Sequence, residues 1–211
     1  MFSEFAKVSS ATWGVIVALL LVGIVVFAVS KDKKRWTARM LANGALCIAL
    51  STVLSFITLY KMPQGGSITL ASMLPMFLFA YAYGVGPGML VGAAYGFVQF
   101  LQGGLYFVHP VELLLDYPLA FAMLGLAGLS NKFSDQWGMI PGIILGTFGR
   151  FVCAFLSGLI FFGMYAPEGQ NVVIYSMVYN GLYLVPEAII CILLAMIPQI
   201  RQLAKRLALQ D

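Results

Sequence analysis

Between His109 and Leu129 the chain reads HPVELLLDYPLAFAMLGLAGL. The run is apolar almost throughout. As a helix rising ~1.5 Å per residue it is long enough to cross the ~30 Å hydrocarbon core of a bilayer. Further apolar runs fill residues 12–30, 40–60, 69–84, 88–105, 139–163 and 172–197. These runs constrain the fold more than any other feature. Lipid offers no partner to backbone N–H and C=O groups, so only helices and closed barrels cross it. Unbroken runs, rather than ten-residue segments of alternating polarity, point to helices.

Composition agrees. Hydrophobic residues make up 61% of the chain and charged residues 9%, against about 25% charged in a soluble domain. No polar stretch is long enough to build a soluble domain. The expectation is an all-α, polytopic membrane helix bundle surrounded by the lipid bilayer. The net charge of +4 sits at helix ends, as membrane topology requires, and carries no sign of a nucleic-acid partner. Cys47, Cys153 and Cys191 all fall inside apolar runs without metal-ligand spacing, which reads as small core residues and predicts no metal.

Charge sets the expected orientation. Lys31, Lys33, Lys34, Arg35 and Arg39 form the densest basic cluster, and basic loops stay cytoplasmic. With that cluster inside, Lys132, Arg201, Lys205 and Arg206 also fall inside, while only Lys7 and Lys61 fall outside. The N-terminus is then outside if residues 12–30 span, and the C-terminus is cytoplasmic. Without that first span the remaining six keep the same orientation. Between the spans the chain turns at KMPQGGS (61–67), VGPG (85–88), NKFSDQWG (131–138) and YAPEGQN (165–171). Gly88, Gly92 and Gly96 repeat at spacing four, as do Ala45 and Ala49 with Ala42 nearby. Such small-residue stripes let helices approach closely.

Three features place polar groups at membrane depth. Asp116 precedes Tyr117 in the opening stretch. Arg150, Ala154 and Gly158 share a helix face, leaving room for a flat ligand beside the arginine. In YSMVYNGLYLVPE, Tyr175 and Tyr179 are followed by Asn180, Tyr183 and Glu187 on successive turns, with Pro186 placed to kink the helix. A charge at the centre of a membrane helix costs about 2.5–3.5 kcal/mol on insertion scales. A polar, cationic ligand facing Asp116 and Tyr117 would offset that cost. An Asp116–Arg150 ion pair would do so too, and the tyrosines would equally suit an interfacial aromatic belt. His109 reads as a polar anchor at a helix start. The sequence contains no G-x-x-x-x-G-K-[ST], no H-E-x-x-H and no G-x-S-x-G, which excludes those phosphate-binding, zinc and serine-nucleophile designs. The expectation is a binding site without its own energy source, a catalytic pair or a cofactor.

Four stretches in order, GGSITLASMLP (65–75), HPVELLLDYPLAFAMLGLAGL (109–129), GRFVCAFLSGLIFFGMYAPEG (149–169) and YSMVYNGLYLVPE (175–187), resemble the thiamine-specific substrate-binding subunits (S components) of energy-coupling-factor (ECF) transporters, the ThiT or YuaJ family. The resemblance covers roughly residues 39–200. It implies three parts: an extra N-terminal transmembrane helix with its basic cytoplasmic linker (1–38), a six-helix S-component core (39–200) and a basic cytoplasmic tail (201–211). It implies thiamine held near the outer face and capped by loop 61–67. It also implies a transmembrane coupling protein and two cytoplasmic ATPases as partners, with Ala45 and Ala49 at the docking position. By position, it assigns substrate binding to Asp116, Tyr117, Arg150, Gly158, Phe162, Tyr175 and Asn180. The best-known members have Glu where Asp116 stands. A histidine of some members falls on Ala154, a stacking tryptophan on Phe162, and their lid tryptophan has no counterpart in KMPQGGSITL.

Other readings stay open at this level. The same architecture would take a thiamine precursor or another vitamin. A membrane enzyme acting on a lipid or prenyl substrate would use Asp116 and Glu187 as acid and base. A solitary ion-coupled carrier would work through Glu187.

Overall fold

The computed structural model describes residues 36–103, 109–132 and 138–209. The expected first span at 12–30 and most of the basic cluster after it lie outside the described residues. Helix α1 (Ala38–Phe56) starts where the Thr37 hydroxyl accepts from the Met40 amide at 3.2 Å, an N-cap that satisfies one of the free first-turn donors. It leads into a hairpin of β1 (Thr58–Lys61) and β2 (Ser67–Thr69), paired antiparallel with Lys61 opposite Ser67. Helix α2 (Leu74–Tyr83) and helix α3 (Val85–Gln102) follow. The opening stretch becomes one helical rod of four pieces: α4 (Pro110–Leu114), a π-helical turn (Leu115–Leu119), α5 (Ala120–Ala122) and a 3-10 stretch (Met123–Lys132). Helices α6 (Ile140–Phe161), α7 (Val172–Ala195) and α8 (Pro198–Leu209) complete the described chain.

The chain is thus a helical membrane bundle. Four segments are long and apolar enough to cross a bilayer: α1, Pro110–Ser130 of the rod, α6 and α7. Outward-facing Leu46 and Val53 of α1 and Ile174, Leu182 and Leu193 of α7 are exposed. Contiguous apolar surface of this kind belongs against lipid. The core instead centres on α2, all ten of whose residues are buried, Phe77 and Tyr83 almost completely. The Tyr83 hydroxyl accepts from the Asn43 amide of α1 at 2.6 Å.

Three boundaries differ from the sequence reading. The expected third span, 69–84, is a strand end, a turn and the ten-residue α2. At ~1.5 Å per residue α2 is about half as long as the hydrocarbon core is thick. The turn expected at 85–88 is already helical; the chain turns at Gly84, whose φ of 93° suits glycine. Pro87 sits in the first helical turn, where a missing N–H is tolerated. The tail from residue 201 belongs to α8, which begins at Pro198 and packs on α2 through the buried Ala204.

The rod departs from regular α-helix at Pro118. Proline cannot donate to the carbonyl four residues back. The Ala120 amide bonds the Leu115 carbonyl, five residues back, the π-type spacing often found at functional sites. Gly96 of α3 seats this turn. A side chain there would meet the Tyr117 carbonyl oxygen at 2.5 Å and Pro118 Cα at 2.9 Å. Gly92 and Gly88 pack in the same way on Phe121 and Gly125. The glycine stripe is a helix-packing surface within this chain.

Candidate functional site

A cavity of about 350 Å³ opens at the end of the bundle where the hairpin lies. Its wall comes from every long element. The rod contributes Glu112, Asp116, Tyr117 and Phe121; α6 contributes Arg150, Ala154 and Gly158, with Phe162 just beyond its end. Helix α7 brings Tyr175, Ser176, Tyr179, Asn180 and Tyr183. The opposite side is Ser55, Gln99 and Gln102, and the hairpin covers the cavity with Lys61 and Gln64–Ser67. All seven residues singled out in the sequence line this one space.

Helix spacing explains the convergence. Arg150, Ala154 and Gly158 follow at four-residue steps, as do Tyr175, Tyr179 and Tyr183, so each set presents one face. Asp116 accepts a 2.7 Å hydrogen bond from the Ser157 hydroxyl. The Arg150 guanidinium lies 4.1 Å from the centroid of the Phe121 ring, a cation–π contact. No ion pair joins Arg150 to Asp116 among the described residues, so the acid and the base stand in one cavity without neutralising each other directly. Asn180 is fixed by its amide, which donates to the Ala154 carbonyl at 3.2 Å and the Ser176 carbonyl at 2.9 Å. Its own carbonyl accepts from the Tyr183 hydroxyl at 3.0 Å.

Gly158 does more than leave room for a ligand. A side chain there would lie 2.3 Å from the Ser176 hydroxyl and 3.2 Å from the Asn180 amide. The glycine lets α7 approach α6, and that approach places Asn180. Phe162 stacks towards Tyr165 at 6.1 Å, and Tyr175 lies 5.8 Å from Tyr179, so aromatic faces cluster on one side. On the other side the amides of Gln99 and Gln102 form a network with Ser55 and Tyr95.

His109 sits at the start of α4 as an anchor. Its Nδ1 accepts from the Val111 amide at 3.1 Å, its ring stacks on Phe161 at 5.2 Å, and Glu112 reaches back to its backbone N–H. Glu187 lies deeper, 2% exposed, bound to Thr69 and Ser72 and outside the cavity lining. Sequence reading missed Glu112, Ser157 and the α3 glutamines. Glu112 had a signal: it precedes Asp116 by four residues, placing two acids on one helical face. Ala45 and Ala49 are exposed on α1, away from the cavity. Among the described residues no three His, Cys, Asp or Glu side chains group to hold a metal ion.

The family model described as thiamine transporter protein (Thia_YuaJ) matches residues 41–207. The chain is 36% identical over 160 residues to the thiamine transporter ThiT of Bacillus subtilis, covering 70% of this chain and 83% of that protein. It is 32% identical over 123 residues to the thiamine transporter ThiT of Lacticaseibacillus paracasei, covering 52% of this chain and 61% of the relative. A solved structure of ThiT from Listeria monocytogenes superposes with a TM-score of 0.65 at 27% identity, covering 79% of this chain and 93% of that one.

Proposed function

The chain belongs to the thiamine transporter family, and from that premise we propose that its capped cavity binds thiamine as the S component of an ECF transporter. One observation carries the reading. A single space of about 350 Å³ gathers the carboxylates of Glu112 and Asp116 with the rings of Phe162, Tyr175, Tyr179 and Tyr183. The thiazolium of thiamine is a permanent cation. Aromatic faces attract such a group, and a carboxylate adds charge-assisted attraction. The volume lies within the ~300–1,000 Å³ of small-molecule pockets.

Each candidate residue then has a task. Asp116, held by Ser157, faces the cationic ring. Tyr117, Phe162 and Tyr175 supply aromatic and hydroxyl surface. Asn180 reads the polar edge of the pyrimidine. Gly158 keeps α6 and α7 close. Arg150, drawn to Phe121, faces the pyrimidine or hydroxyethyl end rather than the cation. Isothermal titration of the detergent-purified protein with thiamine tests this. Saturable one-to-one binding below the micromolar range is expected. Tight binding of another vitamin with none of thiamine would remove the reading. Ala154, standing where some members have a histidine, favours one second reading, a thiamine precursor, and competition by the separate pyrimidine and thiazole halves in the same titration distinguishes it.

Transport itself is proposed to run through partners, a transmembrane coupling protein with two cytoplasmic ATPases. Support comes from α1, where Ala42, Ala45 and Ala49 are exposed and offer a small-residue surface for close helix approach. Replacing Ala45 and Ala49 with tryptophan is expected to leave thiamine binding intact and abolish uptake into cells that supply the coupling module. Uptake that survives contradicts the docking assignment. The charge distribution supports placement in the cell membrane with the cavity near the outer face and the C-terminus in the cytoplasm.

A further inference from the structure

Tyr179, Tyr183 and Glu187 follow at four-residue steps on α7 and share one face. Each meets the hairpin at a different level. At its tip, the Tyr179 hydroxyl accepts from the Gln64 amide at 2.8 Å and donates to the Gly65 carbonyl at 2.9 Å. Midway, Gly66 lies flat on the Tyr183 ring. A side chain there would come within 2.8 Å of that ring, and its φ of +80° disfavours any other residue. At the foot, the Glu187 carboxylate accepts from the Thr69 hydroxyl at 2.6 Å, the Ser72 hydroxyl at 2.8 Å and the Thr69 amide at 3.3 Å.

The two ends are built differently. The tip bonds join a half-buried tyrosine to turn backbone at the cavity mouth, where water can replace each partner. The foot is dry: Glu187 is 2% exposed, Thr69 3% and Ser72 5%. Breaking the foot would strand a buried carboxylate, which is far more costly than breaking a wetted bond. Between the two residues that Glu187 grips lies Ala71, buried, at φ 58°. An alanine stays in that left-handed conformation only where its surroundings hold it there.

We propose that α7 works the hairpin through two positioning residues, Tyr179 as a releasable latch on its tip and Glu187 as a fixed anchor at its foot. Ligand enters and leaves as residues 62–66 lift while Thr69–Ser72 stay in place. This gives Glu187 a role without acid–base catalysis or ion coupling. The inference rests on the reading of the cavity as the ligand site.

Spin labels at exposed Pro63 or Leu70, each paired with one at exposed Gln170, test it in a chain whose three cysteines are replaced by alanine. Distances are measured without ligand, and thiamine association and dissociation rates are measured alongside. Tyr179→Phe is expected to broaden the Pro63 distances and leave the Leu70 distances narrow. Both rates should rise about tenfold, with Kd moving less than either, because the latch holds the closed form with or without ligand. Glu187→Ala is expected to broaden the Leu70 distances as well, and Glu187→Gln, which keeps an acceptor for the hydroxyls, to restore them. Thr69→Val removes only the hydroxyl and serves should Glu187→Ala fail to fold. Unchanged Pro63 distances and unchanged rates in Tyr179→Phe overturn the latch. Unchanged Leu70 distances in Thr69→Val overturn the anchor. Distances that respond as stated in a chain that does not bind thiamine uphold latch and anchor and overturn the ligand reading instead.

Discussion

The two halves of α6 face the rest of the bundle in opposite ways. In the first half, Gly142, Gly146 and Gly149 lie against Ala127, Leu124 and Met123 of the rod, so close that a side chain at Gly142 would sit 2.6 Å from the Ala127 carbonyl oxygen. In the second half, Arg150 and Ala154 border the cavity, and Gly158 borders it while also admitting Ser176 of α7. Helix α3 makes the same change: Gly88, Gly92 and Gly96 press on rod backbone, while Gln99 and Gln102 line the cavity. Glycine where helices must touch and polar or aromatic side chains where they part is a division that a bilayer makes necessary. Lipid tails are as apolar as leucine, so close van der Waals packing has to hold the helices together. A cavity then has to be lined by groups that bond one another or a ligand.

The largest effect is expected at the packed end. Gly125→Val would put a side chain 2.3 Å from the Met89 amide nitrogen. Overpacking of this kind costs about 1–3 kcal/mol or more, so the melting temperature in detergent should fall by roughly 10 °C. An unchanged melting curve would mean that the glycine is not what holds that end closed. At the cavity end the pattern reverses: Asp116→Ala is expected to weaken thiamine binding by well over tenfold while melting stays near wild type. Equal affinity would make the acid merely structural.

A smaller effect sharpens the picture of Asp116. Ser157→Ala removes the 2.7 Å donor to its carboxylate. Thiamine affinity should drop about tenfold, in keeping with a hydrogen bond to a charged group. A loss of stability with full affinity would mean that Ser157 serves the fold instead. The smallest effect is expected at the foot of the hairpin, at Ala71→Gly. Glycine relieves the positive φ but adds freedom to the unfolded chain, so the melting temperature should move by only a few degrees. A large drop would show that the alanine methyl packs more than its backbone strains.

How much of this could be read from residues alone follows the same division. Long apolar runs gave away the spanning helices because their physics is additive over ~20 residues. The polar side chains at membrane depth stood out because each is expensive there, and all of the residues chosen on that ground except Glu187 meet in one cavity. The glycine stripe read as packing is packing. His109, expected at a helix start, caps α4. Features set by a few residues were harder to read. The four- and three-residue strands TLYK and SIT are too short for alternation to register, so only a polar loop is legible at 61–67. Pro87 suggested a turn within 85–88, but Gly84 makes it. The π-turn at Asp116 depends on how Pro118 meets Gly96, a tertiary contact. Ser157 sits three residues past Ala154 with nothing in its surroundings to mark it as the partner of Asp116.

On the proposed reading, thiamine occupies the hairpin end and leaves the packed end untouched. Backbone hydrogen exchange with and without saturating thiamine tests it directly, because protection reports local opening segment by segment. Slowed exchange is expected in 58–69, around Asp116, and in 172–183, with 84–92 and 123–132 unchanged. Protection confined to the packed end, or none anywhere at a thiamine concentration that saturates binding, would contradict that reading.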